Sequence, residues 1–209
     1  TSPEEIAIIL KQENIDLVIA NKNTPKQTVL SGKEKEIERA QKAFSDRKIR
    51  CSVLPVSAAF HSPLVSDAQV PFREALEKFE FKKPKVSVFS NTSGNVYPTV
   101  SKAMRDIIGA QLANPVDFVT EIEEMYKFGV RTFLEVGPGA KMAGLVRAVL
   151  EGRDFSAISL DSSTGKKSGV LDLAKTLSFL ASLGHNVDFR LWEDGENLLN
   201  SGLEERKPR

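Results

Sequence analysis

The N-terminal part of the chain alternates helix-type and strand-type segments, and this order constrains the fold more than any other feature. A Ser2 cap followed by a proline and two glutamates predicts a helix that runs to about Gln12. Short apolar runs at 16–20 and 28–31 predict two strands, and the polar residues 21–27 between them predict a loop. The chain therefore begins with the order helix, strand, strand.

A second helix and a third strand follow. Apolar side chains recur at helical spacing after Gly32, and an apolar run at 49–56 is typical of a strand. The apolar face of the helix consists of Ile37, Ala40, Ala43 and Phe44. The order is α-β-β-α-β, and one strand in front would complete the ferredoxin-like unit β-α-β-β-α-β. We therefore expect a small ferredoxin-like subdomain over residues 1–56, with its first strand upstream of Thr1.

Residues 57–153 alternate strand-type and helix-type segments in the pattern of an α/β layer structure. The predicted segments are a helix from Ser62 to about Phe79, a strand at 86–89, helices at 103–112 and 116–128, a strand at 130–136 and a helix at 140–150. Residues 154–209 differ, because a short strand at 155–160 precedes a Gly- and Ser-rich linker at 161–169. An apolar helix at 170–183 and a polar tail complete the chain.

Charge and composition exclude several classes of function. The net charge of +1 provides no basic field for nucleic-acid binding, and no apolar run approaches membrane-spanning length. Cys51 is the only cysteine, which excludes disulfides and thiolate metal clusters. The two histidines, His61 and His185, are far apart in sequence and do not resemble a metal pair. We expect a cytoplasmic protein that binds no metal, nucleic acid or membrane.

His61 lies at the junction between a predicted strand and a proline-initiated helix. Small residues precede it, and we interpret Ser62 as the cap of a helix that begins at Pro63. A histidine held at such a junction can move protons near neutral pH, so His61 is a candidate catalytic residue. A lone histidine is more often structural, and no nucleophile motif accompanies this one.

Three further segments can contribute to a site around His61. Gln111 lies where a predicted helix ends before Asn114-Pro115, and helix ends leave backbone carbonyls unpaired. Such a carbonyl can accept the Nδ1–H of a histidine and leave Nε2 free as a base. Asn91 lies in a predicted turn, and Gly137-Pro138-Gly139 predicts a tight strand-to-helix loop. Taken alone, a helix stop and two turns explain these segments without any catalytic role.

Five motifs follow one another in a fixed order along residues 1–150. They are Asn21-x-x-x-Pro25-x-Gln27-x-Val29-x-Ser31-Gly32, Ala59-Phe60-His61-Ser62-Pro63-Leu64, Ser90-Asn91-Thr92-Ser93-Gly94, Gln111-Leu112-x-Asn114-Pro115-Val116 and Phe133-Leu134-Glu135-Val136-Gly137-Pro138-Gly139. Together they resemble the acyltransferase family of malonyl-CoA:acyl-carrier-protein transacylases, above all the acyltransferase domains of modular type I polyketide and polyunsaturated fatty-acid synthases. Residues 173–192 resemble the linker that follows the acyltransferase in such synthases.

The resemblance implies a fold and an activity. The implied fold is α/β, with a ferredoxin-like small subdomain (1–56) packed on part of an α/β-hydrolase-like large subdomain (57–153), followed by a post-acyltransferase linker (154–209). The implied activity is transfer of a malonyl unit from coenzyme A to the phosphopantetheine thiol of an acyl carrier protein through an acyl-serine, in polyketide or fatty-acid biosynthesis. No cofactor is implied, because the coenzyme A thioester is the substrate.

The family also implies roles for individual residues. His61 would be the general base, and Gln111 would orient it through its carbonyl. The positions that set extender choice in the family are here Ala58, Ala59 and Phe60. The Phe60 ring would crowd an α-methyl group, which favours malonyl over methylmalonyl, although the usual His-Ala-Phe-His reads Ala58-Ala59-Phe60-His61 here. The structural residues expected near the site are Asn91, Gly137 and Gly139.

The nucleophile departs from the family pattern, because the sequence contains no Gly-His-Ser-x-Gly motif. We expect the elbow serine and a carboxylate-binding arginine upstream of Thr1, in an N-terminal half next to other synthase domains, and we expect this chain alone to be inactive. An alternative is a non-catalytic module that docks a carrier protein, with Lys33, Lys35 and Arg39 as contacts. A third interpretation is a general α/β hydrolase, which the absence of an acidic triad partner disfavours.

Overall fold

A computed structural model describes residues 1–56 and 59–190, and it mixes helices and strands as the sequence predicts. The helices are α1 (Pro3–Gln12), α2 (Glu34–Asp46), α3 (Gln69–Glu77), α4 (Ser101–Ala110), α5 (Phe118–Lys127), α6 (Lys141–Val149) and α7 (Gly169–Ser182). The strands are β1 (Leu17–Thr24), β2 (Gln27–Gly32), β3 (Val116–Asp117), β4 (Thr132–Pro138) and β5 (Ser156–Asp161). The predicted α/β fold class is therefore confirmed.

The chain divides into two compact units. Among the described residues, the first comprises 1–133 and 141–157, and the second comprises 134–140 and 158–190. Strands β4 and β5 form a two-stranded sheet, while β2, β1 and β3 form a three-stranded sheet in that order. The domain boundaries expected after residues 56 and 153 stay predictions.

The N-terminal elements build one hydrophobic core between two helices and a hairpin. Ser2 caps α1 in a capping box, in which its side chain accepts from the Glu5 N–H and the Glu5 carboxylate accepts from the Ser2 N–H. Strand β1 pairs antiparallel with β2, with Leu17 opposite Gly32. The buried residues of this core are Ile6, Ile9, Leu10, Ile15, Ala40, Ala43 and Phe44. Helical spacing correctly identified Ala40, Ala43 and Phe44 on the buried face of α2, whereas Ile37 is half-buried.

Two predictions in this region are wrong. The loop predicted at 21–27 is mostly strand, because β1 continues to Thr24 and pairs it with Gln27, so only two residues turn. The strand predicted at 49–56 is irregular chain, and its Val56 side chain is 65% exposed. An apolar run becomes a strand only where a neighbouring strand pairs with its backbone, and no described strand pairs with these residues.

Two further elements differ from the prediction. The helix predicted from Ser62 to Phe79 divides into a 3₁₀ helix, Pro63–Ala68, and α3. Pro71 lacks the N–H that a continuous α-helix would need at this position. The strand predicted at 86–89 is reduced to one bridge between Phe89 and Val96.

Strand β3 joins the segment after α4 to the N-terminal hairpin of the first unit. The helix predicted at 116–128 begins two residues later as α5, because Val116–Asp117 pairs in parallel with Asn21 and Lys22 of β1. Helices α5 and α6 then enclose a second core. Its buried residues are Val116, Phe118, Ile122, Val146, Val149 and Leu150. This core supports the start of α5, which lies next to the site described below.

Candidate active site

His61 occupies a strained backbone position at the start of the 3₁₀ helix. Its φ of 58° lies in the left-handed region, which few non-glycine residues adopt without compensating contacts. Ser62, which is 1% exposed, caps the helix as predicted: its Oγ donates to the Ala59 carbonyl at 2.6 Å and accepts from the Leu64 N–H at 3.3 Å. The turn on the C-terminal side of His61 is therefore fixed by a buried hydroxyl.

The loop that follows α4 holds His61 by both its backbone and its ring. The His61 N–H donates to the Leu112 carbonyl at 3.0 Å. Its Nδ1 atom lies 3.0 Å from the Gln111 carbonyl oxygen and 3.2 Å from the Asn114 carbonyl oxygen. Carbonyl oxygens only accept hydrogen bonds, so Nδ1 carries the proton and Nε2 of the neutral ring is left as the basic nitrogen.

The end of α4 explains why these carbonyls are available. Helix α4 ends at Ala110, whose carbonyl accepts from the Asn114 N–H at 3.1 Å and from Nε2 of Gln69 at 3.1 Å. Pro115 has no N–H with which to extend the helical pattern. The carbonyls of residues 111, 112 and 114 therefore remain for His61. The predicted contact between Gln111 and His61 is present, and the catalytic roles of both residues stay predictions.

Asn91 joins the Gln111 turn to the start of α5. Its Oδ1 accepts from Nε2 of Gln111 at 2.7 Å, and its backbone carbonyl accepts from the Asp117 N–H at 2.7 Å. The Asp117 side chain caps α5 by accepting from the Thr120 N–H at 3.1 Å. Gln111 alone separates Asn91 from His61 in this hydrogen-bond chain, and a structural role for Asn91 near a catalytic site stays a prediction.

Lys22 forms an ion pair with Asp117 across the parallel strands. Its Nζ lies 2.9 Å from Oδ2 of Asp117, and both side chains are partly exposed. Burial alone would raise the pKa of Asp117, but the hydrogen bonds from Lys22 and from the Thr120 N–H outweigh it and lower the pKa. The carboxylate therefore remains ionised near neutral pH, which maintains both the cap and the ion pair.

A cavity of about 550 Å³ lies beside His61 within the first unit. Residues of β2, of α2 and of the segment 49–54 line it. Phe60 and His61 both contribute to the lining, and the Phe60 side chain is 52% exposed. Ala59 is half-buried, whereas Ala58 lies outside the described residues. The structure thus places the predicted specificity residue Phe60 on the same cavity as the predicted base.

Gly137 and Gly139 belong to the second unit. The predicted tight loop begins later than expected, because β4 continues through Pro138. Gly139 then turns with a φ of 89°, its N–H donates to the Asp161 carbonyl at 2.8 Å, and its carbonyl accepts from the Ser159 hydroxyl. These contacts explain the glycine at 139 as a turn residue, and a location near the catalytic residues stays a prediction for both glycines.

Several contacts of the site were not predicted from the sequence. The Leu112 and Asn114 carbonyls hold His61 together with Gln111, and the Asn-Pro pair after a predicted helix was the available signal. The Lys22–Asp117 ion pair depends on the parallel pairing of β1 with β3, which no sequence pattern indicated. In residues 1–56 and 59–190, no group of three His, Cys, Asp or Glu side chains could hold a metal ion. None of the described helices is long and apolar enough to cross a membrane.

Comparison with known proteins gives a consistent result. The model of the acyl transferase domain family matches residues 2–169. A polyunsaturated fatty acid synthase protein of Thraustochytrium is 30% identical over 171 residues, which are 80% of this chain and 6% of that protein. The Bacillus subtilis polyketide biosynthesis malonyl CoA-acyl carrier protein transacylase PksC is 36% identical over 149 residues, which are 70% of this chain and 51% of PksC.

A solved structure supports the same assignment at the level of the fold. The acyltransferase domain from the second module of the salinomycin polyketide synthase superposes with a TM-score of 0.80 at 22% identity. The match covers 98% of this chain and 47% of that domain, so this chain spans about half the length of that domain and of PksC. Because the family model matches most of the sequence, the chain belongs to the acyl transferase domain family.

Proposed function

We propose that this chain contributes the general base to an acyltransferase that moves a malonyl unit from coenzyme A to the phosphopantetheine thiol of an acyl carrier protein. The observation that carries the proposal is the state of His61. Three backbone carbonyls hold its N–H and Nδ1, so Nε2 is the basic nitrogen, and the residue lines a cavity of about 550 Å³. That is the arrangement a general base needs before a substrate arrives.

The nucleophile in this proposal is a serine outside the 209-residue sequence, which has no Gly-His-Ser-x-Gly motif. Nε2 of His61 takes the serine proton as the serine oxygen attacks the thioester carbonyl. The carbon–sulfur bond then breaks, and Nε2 returns the proton to the sulfur of coenzyme A. In the second half-reaction Nε2 takes the proton of the carrier thiol as its sulfur attacks the carbonyl of the acyl-serine. The ester carbon–oxygen bond then breaks, and Nε2 returns the proton to the serine oxygen. No cofactor is required, because the thioester supplies the acyl group.

The relatives support the direction of transfer and the partner. PksC is named a malonyl CoA-acyl carrier protein transacylase, and the Thraustochytrium protein belongs to a polyunsaturated fatty acid synthase. We therefore propose a place in polyketide or fatty-acid biosynthesis, in the cytoplasm, with an acyl carrier protein as partner. Without the serine, we expect this chain alone to be inactive.

Acylation of the protein by malonyl-CoA tests the role of His61. In a protein that joins this chain to the upstream half of its acyltransferase, the intact mass should increase by one malonyl group. His61→Ala should slow this acylation by about 10²- to 10⁴-fold, the usual range for loss of a general base. His185→Ala is the matched control and should acylate normally. Normal acylation of His61→Ala would refute the proposed role.

The position of Phe60 supports a preference for malonyl. Phe60 lines the cavity together with His61. We expect its ring to crowd an additional α-methyl group there. Phe60→Ser should therefore raise the ratio of methylmalonyl to malonyl acylation by about tenfold or more. This is the range of discrimination that one methyl group gives in an apolar pocket. An unchanged ratio would contradict the steric argument.

The docking interpretation receives limited support from the surface of α2. Lys33 and Lys35 are exposed, but Arg39 donates to the Glu36 carboxylate at 2.8 Å and to the Glu13 carbonyl at 2.9 Å. Acidic residues alternate with these cations, so this face is of mixed charge. Reversal of all three charges with no loss of carrier binding would exclude docking through this face.

A further inference from the structure

Gln111 forms hydrogen bonds through both its backbone carbonyl and its side-chain amide, and only the carbonyl contacts His61. Its backbone carbonyl accepts from Nδ1 of His61 at 3.0 Å. Its side-chain Nε2 donates to Oδ1 of Asn91 at 2.7 Å, a short hydrogen bond between two half-buried amides. A contact that fixes the Gln111 side chain therefore also limits the rotation of the Gln111 peptide group, whose carbonyl accepts the hydrogen bond from Nδ1 of His61.

Gln111 needs such an anchor because of its place in the chain. It is the first residue after α4, where the regular ladder of helical hydrogen bonds ends. Its own N–H bonds to the Ile108 carbonyl at 3.2 Å, which does not fix the orientation of the carbonyl on its far side. The Asn114 carbonyl, 3.2 Å from Nδ1, offers a second acceptor that is not tied to Asn91.

Asn91 is able to serve as an anchor because its loop is rigid. Ser90, which is 1% exposed, accepts from the Gly94 N–H at 2.7 Å through its carbonyl, and its N–H donates to the Asn95 carbonyl at 2.9 Å. The Ser90 hydroxyl accepts from the Thr92 N–H at 3.3 Å. The Asn91 carbonyl is held in turn by the Asp117 N–H at the start of α5. The Asn91 side chain therefore projects from a closed loop bound to a helix.

We propose that Asn91 is a positioning residue for His61. It holds the Gln111 side chain so that the Gln111 carbonyl stays in line with Nδ1–H, and this keeps the neutral imidazole in the form whose Nε2 is unprotonated. The consequence for catalysis rests on the proposed function of His61, whereas the tautomer is a property of this chain alone. A side-chain hydrogen bond thus acts on the base through the backbone of a third residue.

The tautomer of His61 can be measured directly by ¹⁵N NMR of the labelled chain. The chain has only two histidines, so His185→Gln assigns both rings, and spectra are recorded where both are neutral. In the unmodified chain we expect His61 to be mainly protonated on Nδ1. Asn91→Ala should lower the ratio of the Nδ1–H to the Nε2–H form by about fivefold, which is the worth of one neutral hydrogen bond.

Two further variants separate positioning from loop folding. Asn91→Asp keeps an acceptor oxygen in the same place and should retain the Nδ1–H form. Asn95→Ala changes another amide of the same loop, one that donates to the Ser93 carbonyl at 3.0 Å and does not reach Gln111, and should leave the ratio unchanged. An unchanged ratio in a folded Asn91→Ala would overturn the proposal, as would an equal fall in Asn91→Ala and Asn95→Ala.

If Asn91→Ala does not fold, Gln111→Met decides, because it removes the Nε2 donor and keeps the carbonyl. A lowered ratio in Gln111→Met supports the proposal, and an unchanged one overturns it. Acylation by malonyl-CoA then tests the catalytic consequence, for which we expect a lower kcat at an unchanged KM in Asn91→Ala. A lowered ratio in Asn91→Ala together with normal acylation of His61→Ala would support positioning and refute the proposed function of His61, so the two failures are distinguishable.

Discussion

Gly94 offers a quantitative test of how tightly the Asn91 loop is built against α5. Its φ is 71°, and a Cβ added to it would lie 2.5 Å from Cγ2 and 2.9 Å from Cβ of Thr120. A left-handed conformation costs an alanine about 1–2 kcal/mol, and overpacking of a close contact adds about 1–3 kcal/mol. Gly94→Ala should therefore lower the free energy of unfolding by about 2–5 kcal/mol.

Gly152 is the matched control for the backbone contribution. Its φ is 79°, and a Cβ there would meet nothing within 4 Å, so Gly152→Ala should cost only about 1–2 kcal/mol. Urea unfolding followed by circular dichroism gives both values under one set of conditions. If Gly94→Ala were no more destabilising than Gly152→Ala, the packing of the loop on α5 would be refuted. The rigidity argued for Asn91 would then lose its support.

Two further changes probe the residues around His61. Ser62→Ala removes a buried helix cap and its hydrogen bond to the Ala59 carbonyl, so it should lower the free energy of unfolding in urea by about 1–2 kcal/mol. The exposed Ser66→Ala is the control, and an equal loss of stability in both variants would contradict the cap. Asp117→Asn should destabilise the protein at pH 7 but not at low pH. The Asp117 pKa is lowered in the folded state, so its stabilisation is present above the unfolded pKa and is lost as the pH falls through the folded pKa. A difference between the two proteins that does not change with pH would argue against the ion pair with Lys22.

Local sequence patterns were sufficient for features that depend on neighbouring residues. The capping box at Ser2, the buried face of α2 and the Ser62 cap were all predicted correctly, because each follows from residues within one or two helical turns. The strand predicted at 49–56 failed for the opposite reason. Its apolar residues satisfied the pattern, but strand formation depends on a partner distant in sequence, and no described strand pairs with this segment.

The candidate site combines both kinds of information. The position of His61 before a proline-initiated helix made it a candidate, and the resemblance to a family implied the roles of His61 and Gln111. Helix-end chemistry explained why a carbonyl would be available to the imidazole. The remaining contacts of the site could not be predicted, because they join residues about 20 to 95 positions apart, as in the bonds of Gln111 with Asn91 and of Lys22 with Asp117. These pairs are brought together by the parallel register of β3 on β1 and by the closed loop at 90–95.

This arrangement has a consequence for how the base is built. Every group that fixes Nδ1 and the N–H of His61 is a backbone carbonyl, and a carbonyl cannot be replaced by mutation of its own side chain. Residues 111, 112 and 114 therefore influence the imidazole only through whatever fixes their backbone, which for Gln111 includes the hydrogen bond of its side chain to Asn91. Some side chains control the end of α4 without contacting His61, as Asn91 does through its hydrogen bond to Gln111. Substitution of such side chains should therefore alter the proton position on the His61 ring indirectly.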